Sequence, residues 1–186
     1  MALAAMAGVN SPRLSVSTRV QPQDSPKKVA EAVQKLFPDW VSETPLPDSE
    51  AFPVTRVSLR VNCDGCAPDR LLEQIETQRI LDTALDVMSQ NMRGDSGWFD
   101  LSLQAAAAGK VAFSLPDEPE NAGSIRVEME GEGLAEWLES VTWHHGRHSV
   151  PRTVSDDLRM QADGSPGEWF DAKGRPTINK DDGSLD

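Results

Sequence analysis

The sequence predicts an α+β fold: a mostly antiparallel sheet with helices packed on one face. Five short stretches alternate apolar with polar residues, the period of a half-buried strand. Three longer segments repeat apolar residues at three-to-four spacing, the period of an amphipathic helix. The order is strand, helix, strand, helix, three strands, helix, and the short late connections favour antiparallel pairing over crossovers.

Leu14, Val16, Thr18 and Val20 alternate with Ser15, Ser17 and Arg19 in the first predicted strand. Ser25 and Pro26 then mark a helix start, because serine caps well and proline suits the first helical position. Val29, Ala32, Val33 and Leu36 share a face of that helix, which ends at Phe37 because Pro38 disfavours helical geometry before it. Residues 38–53 hold four prolines and read as a loop. Val57, Leu59 and Val61 predict a second strand, followed by a turn over residues 62–68.

The longest apolar stripe is Leu71, Leu72, Ile75, Leu81, Ala84, Leu85, Met88 and Met92, which predicts one helix over residues 69–92. Arg93-Gly94-Asp95-Ser96-Gly97 stops it. Phe99, Leu101 and Leu103 predict a third strand, residues 104–109 a turn, and Val111, Phe113 and Leu115 a fourth strand. Ile125, Val127 and Met129 predict a fifth, and Leu134, Trp137, Leu138 and Val141 a short closing helix. Beyond it the periodicity stops, and Trp169-Phe170 is the one apolar spot. The expected organisation is a flexible N-terminus over residues 1–12, an α+β domain over 13–143, and an acidic, mostly disordered tail over 144–186.

Charge bounds the function. Of the net −12, residues 117–186 hold −9, with 16 acidic and 7 basic side chains. Such a segment repels polyanions and suits a basic partner protein. No run approaches the length of a membrane span, and the apolar start, residues 1–8, is short and lacks a basic leader. The expected location is cytoplasmic, with no membrane partner.

Chemistry-bearing motifs are few. Cys63-Asp64-Gly65-Cys66 is half of a zinc site or a redox pair, and the expected reading is a turn with two incidental thiols. His144, His145 and His148 are metal-ligand types, yet their position after a helix suits an exposed terminus that complements the helix dipole. No phosphate loop, nucleophile elbow or paired carboxylates stand out, so no catalytic residue, metal site or cofactor is expected. Arg19, Arg56, Arg60, Lys110 and Arg126 alternate away from the apolar positions and could share a sheet face; no aromatic is expected among them, and acids share that face.

Several pieces, in order, resemble a known family. They are residues 16–22, residues 28–33 with Leu36-Phe37-Pro38, Gln78-Arg79-Ile80-Leu81-Asp82, Gln104-Ala105-Ala106 with Gly109-Lys110-Val111 and Phe113, and residues 123–128. The chain is similar, over residues 14–131, to a small archaeal family of uncharacterised proteins linked to RNA binding and the exosome. That family's fold resembles the large-subunit ribosomal protein that binds 5S RNA. Ser102-Leu103 and Leu85 stand where the family tends to carry polar or cationic residues. Ile80, Leu81 and Ala84 read as core, and Arg79 with Asp82 as a helical ion pair.

The resemblance implies a non-catalytic RNA-binding protein of ribosome or RNA-processing assemblies, with Arg19, Arg56, Arg60, Arg79, Gln104 and Lys110 as the RNA-binding residues. The alternative is an acidic interaction module whose tail binds a basic protein. An exposed sheet edge is compatible with a dimer.

Overall fold

The computed structural model describes residues 11–47, 53, 58–114, 123–154 and 156. In chain order it contains β1 (Arg13–Val20), α1 (Pro26–Gln34), β2 (Leu59–Cys66), α2 (Asp69–Gln78), α3 (Leu81–Gln90), β3 (Ser96–Ser102), α4 (Leu103–Ala107), β4 (Ser124–Glu130) and α5 (Leu134–Val141). A 3-10 turn over His145–His148 follows. The strands form one antiparallel sheet in the order β2-β1-β4-β3, so the α+β expectation holds.

Strand alternation builds the core. Leu14, Val16 and Val20 of β1, Val61 of β2, Phe99 and Leu101 of β3, and Ile125, Val127 and Met129 of β4 are buried. They join Val33 of α1, Leu71 and Ile75 of α2, Leu85 and Met88 of α3, Ala106 of α4 and Leu138 of α5 in one cluster. Each such large side chain contributes about 1.5–3 kcal/mol by leaving water. Trp40, from the proline-rich loop, is 1% exposed and donates its indole N–H to the Val16 carbonyl at 3.1 Å. The opposite sheet face carries Arg13, Ser15, Arg19, Arg60, Asn62, Asp64, Trp98, Asp100, Arg126 and Glu128.

Four local expectations are corrected. The single helix over residues 69–92 is two helices. Arg79 turns left-handed, φ 59°, the Arg79 N–H reaches the Glu76 carbonyl, and the Ile80 N–H reaches the Ile75 carbonyl, which is a Schellman ending. The expected turn over residues 62–68 is mostly strand, because β2 runs on to Cys66 opposite Leu14. The expected turn after β3 begins as α4, capped by the Ser102 hydroxyl, which accepts from the Ala105 N–H. The fourth predicted strand is one bridge, Phe113 to Leu101. Val57, Leu115 and Trp169-Phe170 lie outside the described residues.

Packed structure continues past residue 143. Arg147 is 7% exposed and donates to Asp82 of α3, to the Thr142 hydroxyl at 3.1 Å and to the Glu139 carbonyl at 3.4 Å. Asp82 therefore pairs with Arg147 and with His144, not with Arg79. Arg152 meets Asp86 and Asp156.

Candidate nucleic-acid interface

Register decides where the charged side chains gather. Val20 pairs with Leu59, Thr18 with Ile125 and Ser102 with Ser124. The C-terminal ends of β1 and β3 therefore meet the N-terminal ends of β2 and β4 at one end of the sheet. α4 follows β3 there. α2 reaches the same end, because the Gln78 side chain holds both backbone groups of Val111: its amide nitrogen donates to the carbonyl at 2.7 Å, and its oxygen accepts from the N–H at 2.8 Å.

Five of the six sequence-predicted site residues come to this end. Arg19 is exposed on β1, directly opposite Arg60 of β2. Arg79 is exposed at the α2–α3 break, Gln104 on α4, and Lys110 beside the clamped Val111. Lys110 lies off the four strands, so the expected single sheet face of cations is corrected to an end of the sheet that includes two helix junctions. Arg56 lies outside the described residues. The Gln78-to-Asp82 motif is chiefly architectural: Gln78 clamps, Arg79 ends a helix, and Asp82 anchors the chain after α5.

Electrostatics divide these groups. Arg60 meets Glu128 at 3.6 Å and donates to the Ser17 hydroxyl at 3.0 Å, so its charge is partly offset. Arg126 makes a two-pronged bond to Asp100 at 2.9 and 2.7 Å, and that hydrogen bond raises its pKa further. Arg13 pairs with Asp64. By contrast, Arg19, Arg79 and Lys110 make no ion pair among the described residues. The opposite end of the sheet is acidic, with Asp64, Asp95, Glu130 and Glu132.

Three residues escaped the sequence reading. Lys28 lies on the exposed side of α1, which packs on α4, and Lys35, just past the end of α1, is exposed with its ammonium reaching the Ala107 carbonyl. Trp98 is 38% exposed on the open sheet face with the Arg126 guanidinium 3.9 Å above its ring, which corrects the expectation of no aromatic there. The signal was present, since Trp98 alternates with Phe99. In the histidine cluster, His145 and His148 are exposed after the end of α5, as expected, and flank Trp143 edge-on, while His144 is instead half-buried and bonds Asp82 at 3.0 Å. No group of three metal-ligating side chains converges among the described residues, and no helix there is long and apolar enough to cross a membrane.

No family model matches the chain. It is 30% identical over 147 residues to a UPF0201 protein of Methanothermobacter thermautotrophicus, across 77% of this chain and 98% of that protein. A UPF0201 protein of Sulfurisphaera tokodaii is 26% identical over 129 residues, across 68% of this chain and 86% of that one. The crystal structure of a UPF0201 protein from Methanococcus jannaschii matches the fold with a TM-score of 0.58 at 21% identity, across 70% of this chain and 99% of that chain. The first relative's identity and near-complete coverage decide the assignment: the chain belongs to the archaeal UPF0201 family.

Proposed function

We propose that the protein binds RNA without catalysing a reaction, through phosphate contacts at the end of the sheet that carries Arg19, Arg60, Arg79, Gln104 and Lys110. One observation supports this reading above the others. Arg19, Arg79 and Lys110, which make no ion pair among the described residues, share that end, while Asp64, Asp95, Glu130 and Glu132 occupy the other beside Arg13 and Arg93. An RNA docked there meets positive charge first and stays clear of the acidic end.

The contacts divide by type. Arg19, Arg79 and Lys110 supply charge to phosphate oxygens, and Gln104 offers an amide to sugar or base edges. Arg60 serves less well, because Glu128 competes for it. The Gln78 clamp and the α2 ending hold Arg79 and Lys110 on fixed backbone, which lowers the ordering cost of binding. Likeness to the ribosomal 5S RNA protein, and a place in ribosome or RNA-processing assemblies, belong to the same proposal.

Fluorescence anisotropy with a labelled structured RNA at low salt tests it. Arg79→Glu with Lys110→Glu is expected to weaken binding at least about tenfold, because two attractive charges become repulsive. Unchanged affinity in that double variant overturns the reading. The acidic end supports a second reading, a module that holds a basic protein. In that case Glu130→Lys with Glu132→Lys abolishes capture of a basic ribosomal protein and leaves RNA affinity no weaker.

A further inference from the structure

In a regular strand, residues three apart point to opposite faces. Cys63 and Cys66 do not follow that rule. Cys63 pairs with Val16 and Asp64 with Ser15, but Cys66 pairs with Leu14, so β2 spends one more residue than β1 over this step. Gly65 is the extra residue, with φ 77°, a left-handed angle that other residues rarely adopt. The bulge resets the alternation and turns both cysteines toward the helix-covered face. Cys66 is 4% exposed within the core, and Cys63 packs half-buried against it. The Cys66 thiol donates to the Cys63 carbonyl at 3.9 Å, the Cys63 thiol to the Asp64 carbonyl at 3.7 Å, and both cysteines are free.

We propose that Cys63 and Cys66 form a reversible dithiol–disulfide pair, closed by low-molecular-weight disulfides and reopened by thiols. The half-buried Cys63 thiolate attacks one sulfur of the small disulfide and releases one thiol, leaving a mixed disulfide. The Cys66 thiolate then attacks the Cys63 sulfur and expels the second thiol. Two protein thiols are oxidised, one disulfide is reduced to two thiols, and the protons lost on ionisation end on the released thiolates. Burial of Cys66, with Asp39 and Asp64 nearby, disfavours its thiolate, so the second step quickens as pH rises. The pair sits where β2 hands over to α2, beside the Ala67 N–H that donates to Asp39 at 2.8 Å, so closure fixes this corner of the sheet.

The reduced full-length chain is treated with oxidised glutathione at mildly alkaline pH, quenched in acid, labelled with maleimide and weighed intact. The expected product carries no label and has lost two hydrogens. Cys66→Ser should instead hold one glutathione on Cys63, and Cys63→Ser should remain an unmodified thiol. Closure should be at least about tenfold faster in the folded chain than in urea, the advantage of a pre-oriented pair. Gly65→Val should reduce that advantage. A lasting glutathione adduct in the unsubstituted chain, an interchain disulfide, no reaction, or equal folded and unfolded rates overturns the proposal.

Discussion

Arg79 holds two roles in conflict. It occupies a left-handed position that glycine fills at lower cost, and it is a cation of the candidate interface that makes no ion pair among the described residues. Arg79→Gly should raise stability by about 1 kcal/mol in urea unfolding, while weakening RNA binding in the same preparation. A fall in stability would show that the arginine side chain anchors the helix break. Cys66 offers a pH signature. Burial first, then the Cys63 thiol and the charges of Cys63, Asp39 and Asp64, push its thiol above the ordinary value of 9.0. The folded state keeps this proton where the unfolded chain begins to release it. The contribution is therefore intact below about pH 9 and declines as pH rises beyond it. Cys66→Ala should flatten that alkaline decline in unfolding midpoints; an unchanged slope would assign the decline to other groups.

At the scale of elements, α3 acts as an anchor rail. Asp82 and Asp86 stand one turn apart and receive Arg147 and Arg152 from the chain after α5. The Arg147 side chain is 5% exposed, so its carboxylate partner offsets a large desolvation cost. Arg152 repeats the logic: burial lowers its pKa, but the hydrogen bond to Asp156 and the charges of Asp86, Asp156 and Asp82 leave it raised overall. Asp82→Ala leaves Arg147 with only the Thr142 hydroxyl and the Glu139 carbonyl, and should cost about 2–3 kcal/mol. Asp82→Asn, which keeps an oxygen acceptor, should cost less. Equal stability of the two variants would show that the charge, and not the hydrogen bond, holds the segment. None of this was legible beforehand, because the partners lie more than sixty residues apart.

For the whole molecule, polarity outweighs net charge. The chain carries −12, yet Arg19, Arg60, Arg79 and Lys110 share one end of the sheet. RNA affinity through Arg19, Arg60, Arg79 and Lys110 should fall with salt at a log–log slope of about −3 to −4. Removing residues 157–186, which hold 7 acidic and 4 basic side chains, should strengthen RNA binding at low salt. A flat salt profile, or weaker binding after truncation, would move the contact elsewhere on the chain.

The sequence by itself determined the α+β class, the buried faces of β1, β3 and β4 and the amphipathic α5, because each is written in a local period of two or 3.6, and Pro26 marked the start of α1, although the Ser25 side chain makes no capping hydrogen bond there. The resemblance in its motifs led to the family. Tertiary structure decided the rest. Gln78 reads locally as one more helical residue, and only its bonds to Val111, 33 positions away, show that it ties the end of α2 to the segment after α4. Cys63 and Cys66 read as a turn until pairing with β1 reveals the bulge. Residue spacing reports which face a side chain occupies, but strand register and distant hydrogen bonds decide which charges become neighbours.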